Sequence, residues 1–167
     1  GYSLAQVKLG QCYSHGDGVA RNPAEKIRLY QDAADRGSPC AQYALAVCYH
    51  TGDGVACNTS EAVRQYSRAA ESGHSFAQSN LGSCYKSGEG INQDKAEAVR
   101  WFRKAAEQGL AAAQYNLGIC YENGEGVGQN MAEAARLYQE AAEQGLKEAE
   151  YKFGACCENG KGVATNY

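Results

Sequence analysis

Hydrophobic positions recur along the chain with a helical spacing, and the arrangement returns every 36 residues. Ala41, Leu45, Cys48 and Tyr49 are separated by four, three and one positions. This spacing places them on one face of a helix. A similar apolar series, which includes Tyr66 and Ala69, follows the glycine pair at 52 and 54 and predicts the buried face of a second helix. The pattern therefore predicts two amphipathic helices, A and B, in each 36-residue unit.

Local signals mark the ends of both helices. We expect helix A at about 39–51, with Ser38 as its N-cap. A G-x-G-V sequence then stops the helix because glycine tolerates positive φ angles, and its valine should enter the core. Asn58 lies three residues before Glu61, which predicts a variant capping box at the start of helix B. Gly73 is expected to end helix B as its C′ residue.

The period predicts the architecture of the whole chain. We expect repeats at about 1–37, 38–73, 74–109 and 110–145, with a partial fifth repeat at 146–167. Neither helix of a unit can bury its apolar face alone, so neighbouring units must stack. The sequence thus predicts an all-α solenoid, formed by a single array of helix-turn-helix repeats. Because a helix begins at once and the last repeat is incomplete, we expect a fragment of a longer protein.

Composition narrows the function classes. The net charge of −3 and the isoelectric point of about 5.6 provide no basic footprint for nucleic acid. Apolar runs are too short to cross a bilayer, so we expect no membrane insertion. The sequence contains no apparent trio of nucleophile, base and orienting residue, so we expect no catalytic residues and no enzyme activity.

Two motifs carry a family resemblance, A-x-x-x-L-G-x-x-Y-x-x-G-x-G-V and A-x-x-x-Y-x-x-A-A-x-x-G. The fourth copy shows them as Ala113, Leu117, Gly118, Tyr121, Gly124, Gly126 and Val127, then Ala134, Tyr138, Ala141, Ala142 and Gly145. They resemble the Sel1-like repeat family, a relative of the tetratricopeptide repeat. Ala46, Phe153 and Cys157 depart from the pattern. The resemblance implies a right-handed superhelix with A helices lining its concave surface, and a scaffold or adaptor that brings proteins together, as in signalling.

Eight cysteines allow two interpretations. Five share one phase of helix A, which favours small buried apolar residues: Cys12, Cys48, Cys84, Cys120 and Cys156. A thiol- or metal-dependent activity is the alternative, although no closed set of four ligands is apparent, so we expect no metal site and no cofactor. Cys40, Cys57 and Cys157 lie out of phase, and Cys40 at a helix start and Cys57 in a loop are candidates for modifiable thiols. Cysteine-rich secreted members of the family form a disulfide between the end of helix B and the next helix A. This chain has no cysteine at the end of any helix B. Free thiols favour a reducing, cytoplasmic compartment.

The outward side of helix A varies between copies, as expected of a recognition surface. We predict that it binds a protein or peptide through Lys8, Tyr43, Val47, His50, Asn80, Lys86, Tyr115, Asn116, Ile119, Tyr151 and Lys152. Tyrosine is favoured at interfaces, and asparagine can both donate to and accept from a peptide backbone. The two asparagines flanked by lysines are similar to the tetratricopeptide clamp for a C-terminal carboxylate. The alternatives are that these side chains are merely solvated, or that the tyrosines pack on adjacent helices.

Three further expectations concern packing and assembly. The incomplete fifth repeat could dock a second copy, so self-assembly through the terminal repeats is the alternative function. Trp101 is expected to be partly exposed and to pack against the neighbouring repeat. Tyr121 is expected to be buried, so that its replacement by alanine would cost ~3–5 kcal/mol.

Overall fold

The computed structural model describes residues 2–158 and 160, and within them the secondary-structure elements are all α-helices, joined by short loops. Its helices are α1 (Tyr2–His15), α2 (Pro23–Asp35), α3 (Pro39–Thr51), α4 (Thr59–Glu71), α5 (Ser75–Ser87), α6 (Lys95–Glu107), α7 (Ala111–Asn123), α8 (Met131–Glu143) and α9 (Lys147–Glu158). Odd-numbered helices are A helices and even-numbered helices are B helices. The predicted all-α solenoid is confirmed, and α3 has the predicted bounds. Gly162 and Val163 of the fifth loop lie outside the described residues.

The core runs continuously from one repeat to the next. Each helix packs against the helices that precede and follow it in the chain. One cluster joins Val7 of α1, Tyr30 of α2 and Leu45 of α3. The predicted inner face of α4 is buried in the next cluster, including Tyr66 and Ala69. Stacking therefore supplies the burial that a single repeat lacks.

The N-caps of the B helices are confirmed, but one half of the predicted capping box is wrong. The Asn58 side chain accepts a hydrogen bond from the Glu61 amide at 3.0 Å. Its own N–H donates instead to the carbonyl of Tyr49 at 2.8 Å. The Glu61 carboxylate is consequently free to pair with Arg64, with contacts of 2.6 and 2.8 Å. The cap thus ties the loop to both helices of its repeat.

Replacing this cap should have a measurable effect on stability. We expect Asn58→Ala to lower the free energy of unfolding by about 1 kcal/mol, because the Glu61 amide loses its acceptor. Urea denaturation followed by circular dichroism measures the change. Ser60→Ala, at an exposed position in the same turn, is the control and should stay within ~0.5 kcal/mol of the wild type. Equal effects of the two substitutions would contradict the assignment.

The second glycine of the second, third and fourth G-x-G loops lies against the preceding repeat. Gly90 has a φ of 71°, and a Cβ atom there would lie 2.5 Å from the carbonyl oxygen of Thr59. Gly54 and Gly126 meet the backbone at the start of α2 and α6 in the same way. These glycines are therefore required by a close approach between repeats, in addition to the turn within each repeat.

The glycine of the L-G pair makes room for an aromatic ring. A Cβ atom on Gly118 would lie 2.7 Å from Cε1 of Tyr138, and Gly82 meets Phe102 in the same way at 2.8 Å. The buried ring of helix B therefore packs directly on the backbone of helix A. This contact holds the two helices of a repeat together.

Two burial predictions are wrong. Trp101 is only 6% exposed, although it packs with Ala69 and Ala70 of the neighbouring repeat as expected. The ammonium group of Lys104 lies 4.3 Å from the centre of its ring. Tyr121 is half-buried, because its hydroxyl lies at the edge of the helix pair and accepts from Arg103 at 3.1 Å. The inward side of helix A is thus formed by alanine, leucine and cysteine, with tyrosine at its margin.

Candidate functional site

A pocket opens on the outward side of α3 and α5, in the surface predicted to bind a partner. It has a volume of about 300 Å³ and is lined by Tyr43, Val47, His50, Thr51, Tyr66, Asn80 and Ser83. Four of these residues belong to the predicted site. We call this cavity the aromatic pocket. The helical spacing of α3 and the stacking of α5 beside it bring these side chains together.

Aromatic rings form the wall and floor of the aromatic pocket. The ring of Tyr43 stacks on the imidazole of His74, with centroids 4.7 Å apart and an angle of 21° between the planes. Phe76 lies beyond them, 6.1 Å from Tyr43, and is 53% exposed. Tyr66 closes the floor and is 2% exposed. The pocket therefore presents a continuous aromatic surface to solvent.

The stacked histidine is held in its neutral form. Burial lowers the pKa of His74. Its Nδ1 accepts a hydrogen bond from the Ala77 amide at 3.3 Å, which requires an unprotonated nitrogen. The floor is also uncharged, because burial raises the pKa of Tyr66 to about 12, with a hydrogen bond to Asn80 acting in the opposite direction.

Basic side chains on this surface lie beside carboxylates of the following repeat. His50 Nε2 lies 3.3 Å from Glu89 Oε1, and Lys86 Nζ lies 3.3 Å from Glu125 Oε2. Hydrogen bonds from Lys95 and Lys86 lower the pKa of Glu125. In the second, third and fourth G-x-G loops the acidic residue therefore lies beside a basic residue of the repeat before it.

The C-terminal members of the predicted site lie apart from the aromatic pocket. Tyr151 is 78% exposed on α9 and lines a separate cavity of about 350 Å³. Lys152 lines the same cavity and binds Glu122 at 2.8 Å. Lys152, one of the lysines compared with a carboxylate clamp, is therefore already paired with the carboxylate of Glu122.

The remaining predicted residues are divided between packing and solvent. Tyr115 and Ile119 pack against the core of the fourth repeat, and the Tyr115 ring lies 5.7 Å from that of Tyr138. Asn116 is half-buried, and Lys8 is exposed on α1. The assignment of these residues to partner binding stays a prediction.

Sequence reasoning missed two sets of residues. His74 and Phe76 lie at the start of α5 and contact Tyr43 of α3. A helical wheel shows the faces of one helix and does not predict this contact between two helices. A glutamine near the start of α1, α3, α5 and α7 is buried, and Gln78 Nε2 donates to the carbonyl of Ala70 at 3.1 Å. Its recurrence as Gln42, Gln78 and Gln114 was the signal that could have revealed it.

The burial of the in-phase thiols is confirmed for four of the five. Cys48, Cys84, Cys120 and Cys156 are buried, and Cys12 in the first repeat is half-buried. Burial raises the pKa of Cys84 to about 11. Among the residues that the structure describes, no group of three or more histidine, cysteine, aspartate or glutamate side chains is arranged to hold a metal ion.

Thiol reactivity should follow this burial. We expect Cys40, Cys57 and Cys157 to be alkylated quickly at pH 8, because they are exposed. The four buried thiols should react only after unfolding, since the thiolate is the reacting form and burial disfavours it. Mass spectrometry of alkylated peptides, with and without urea, measures both rates. Uniform labelling of all eight cysteines in the native chain would contradict this packing.

Within the described residues, no helix is both long and apolar enough to cross a membrane. The stacked helix pairs and their outward-facing pocket define an α-solenoid repeat protein. The sequence model of the Sel1 repeat matches residues 3–38, 41–74, 75–110, 111–146 and 147–167. The chain therefore belongs to the Sel1 repeat family, as the motifs predicted. Proteins of this family are commonly protein–protein interaction modules and are generally non-catalytic.

Solved structures support the same assignment. The protein c5321, a protective antigen present in uropathogenic Escherichia coli strains, displays an SLR fold, is 37% identical and superposes with a TM-score of 0.94 over 96% of this chain and 34% of its own. A Sel1 repeat protein from Oxalobacter formigenes is 33% identical, with a TM-score of 0.92 over 98% of this chain and 65% of its own. The chain thus spans about a third of the first protein and just under two thirds of the second.

A more distant likeness shows the fold alone. Cysteine rich protein B from Helicobacter pylori is 20% identical, with a TM-score of 0.62 over 78% of this chain and 94% of its own. No curated protein matches the chain in sequence closely enough to count as a relative.

Proposed function

We propose that this chain is a protein-interaction module that binds a peptide or partner protein on the outward side of its A helices. The aromatic pocket is the observation that carries this proposal. It gathers Tyr43, Val47, His50 and Asn80 into one concavity, although they lie on two different helices. Exposed aromatic surface with polar groups at its margin is typical of protein interfaces. The module acts as a scaffold and supplies no catalysis of its own.

The proposal is tested by capturing a partner from an extract of the source organism. The wild-type chain and the double variant Ser83→Arg, Asn116→Arg serve as bait, and quantitative mass spectrometry compares the captured proteins. Neither position is buried, so the variant should retain the wild-type melting temperature. We expect at least a tenfold loss of one specific partner, because the arginines obstruct the outward side of α5 and α7.

The control places the same charges on the B helices. Ser72→Arg with Gln139→Arg changes exposed positions away from the pocket and should retain the partner. Equal capture by both double variants would contradict the proposed surface.

Self-assembly is the second candidate, and exposed apolar residues at the N-terminal end favour it. Leu4 and Leu9 of α1 are exposed. Leu45, which occupies the position of Leu9 in the second repeat, is fully buried against the preceding repeat. A second copy could cover this surface. Sedimentation equilibrium between about 1 and about 100 μM tests the idea, since this range detects dissociation constants of micromolar order, about −8 kcal/mol. A strict monomer would exclude it.

We also propose a reducing compartment for the chain. Its exposed thiols at Cys40 and Cys57 would remain free there.

A further inference from the structure

We infer that the aromatic pocket binds an uncharged, extended peptide segment through one bulky apolar side chain, and that it does not bind a C-terminal carboxylate. This inference rests on the proposed function and specifies the chemistry of its ligand. It departs from the clamp that Asn80 and Asn116 suggested in the sequence.

The size and lining of the pocket favour a single apolar side chain. Its volume of about 300 Å³ lies at the lower end of ligand pockets. The Tyr43 ring and the Val47 side chain form its apolar sides, and the exposed ring of Phe76 extends the wall on the side of Tyr43. Aromatic rings pair with other rings at centroid distances of about 4.5–7 Å, so a phenylalanine or tyrosine fits this lining.

The charge distribution disfavours an ionic ligand. None of the lining residues is a carboxylate, a lysine or an arginine. His50 is the lining residue that can become cationic, and Glu89 already lies 3.3 Å from it. A charged side chain would lose hydration here without gaining a counter-charge. The pocket is therefore complementary to a neutral ligand.

The polar groups at the margin favour a peptide N–H over a carboxylate. The hydroxyl of Thr51 donates to the carbonyl of Val47 at 2.9 Å, and that of Ser83 donates to the carbonyl of Ser79 at 3.2 Å. Both hydroxyl hydrogens are thus committed within their own helices, which leaves the oxygens as acceptors. Acceptors at the rim attract backbone N–H groups and repel the oxygens of a terminal carboxylate.

Chemical-shift mapping on the ¹⁵N-labelled chain tests this inference with four short peptides. The probes are acetyl-Gly-Phe-Gly-amide, acetyl-Gly-Lys-Gly-amide, acetyl-Gly-Glu-Gly-amide and acetyl-Gly-Gly-Phe with a free carboxylate. We expect the neutral phenylalanine peptide to shift the amides of Val47, Asn80 and Ser83, with an affinity at least fivefold higher than that of the other three. Raising the salt concentration from 50 to 500 mM should change this affinity by less than twofold.

Variants of Ser83 locate the binding. Ser83→Phe should fill the pocket and reduce the affinity for acetyl-Gly-Phe-Gly-amide at least fivefold, whereas Gln139→Phe, at an exposed position on α8, should leave it unchanged. Ser83→Glu introduces the missing counter-charge and should reverse the preference in favour of the lysine peptide. Both positions are exposed, so the fold is retained.

The outcomes separate this inference from the function on which it rests. If the free-carboxylate or a charged peptide shifts the pocket amides most strongly, the inference is overturned and peptide binding on the A helices stands. If no peptide shifts any amide on the outward side of α3 and α5, the inference is overturned, whereas the capture experiment decides the proposed function independently. If sedimentation shows a dimer that Ser83→Phe dissociates, the occupant is a second copy and the inference is wrong.

Discussion

Gly90→Ala is expected to lower the free energy of unfolding by ~3–5 kcal/mol, a large effect for the addition of one methyl group. Two causes combine at this position. The φ angle of 71° is strained for any residue with a Cβ atom, at a cost of about 1–2 kcal/mol. The new methyl carbon would also lie 2.5 Å from the carbonyl oxygen and 2.6 Å from the carbonyl carbon of Thr59. Because both atoms belong to the backbone, relief requires the two repeats to separate.

Gly109→Ala is the matched control for this prediction. Its φ angle of 80° is similar, but a Cβ atom there would meet no other atom within 4 Å. It should therefore show the conformational cost alone, about 1–2 kcal/mol. Urea denaturation of the wild type and both variants measures the difference. If the two variants lose the same stability, the close approach between repeats does not contribute as described.

Tyr138→Ala is expected to cost ~3–5 kcal/mol, as replacement of large buried aromatic residues does. The side chain is fully buried, and its ring packs on the backbone of Gly118. Its hydroxyl donates to Glu122 Oε2 at 2.5 Å. Alanine would leave a cavity between α7 and α8 and remove this hydrogen bond. Thermal and urea denaturation measure the loss.

Two substitutions separate the contributions to this effect. Tyr138→Phe retains the ring and should cost less, about 1.5–3 kcal/mol, the usual contribution of a hydrogen bond to a charged group. Tyr121→Ala should cost less than Tyr138→Ala, roughly 1–3 kcal/mol, because its side chain is half-buried. This expectation replaces the larger one drawn from the sequence. A loss at Tyr121 equal to that at Tyr138 would show that the assignment of the buried face is wrong.

The features that could be predicted from the sequence depend on residues a few positions apart. The N-cap at Asn58 involves an amide three residues away, and the bounds of α3 follow from Ser38 and the glycine pair. Such contacts form within one helix end and do not depend on how repeats are stacked. The helical period likewise predicted the buried faces, including Leu45 and Tyr66, because burial follows from their position on the helix.

The features that were missed depend on the geometry between repeats. His50 and Glu89 lie 39 positions apart in the sequence, and their pairing requires a particular rotation of one repeat against the next. The burial of Trp101 depends on the space left by Ala69 and Ala70 of the neighbouring repeat. A helical wheel of a single helix contains no information on the His50–Glu89 pair or on the burial of Trp101. The aromatic pocket is of the same kind, since α3 and α5 each contribute only part of its lining.

Photocrosslinking to the captured partner tests the central claim most directly. A benzophenone amino acid is placed at Ser83 on the outward side of α5 and, in a separate variant, at Arg100 on the exposed side of α6. We expect a covalent adduct with the partner from position 83 and none from position 100. An adduct from position 100 alone would show that the partner binds the B helices, which contradicts the proposed surface.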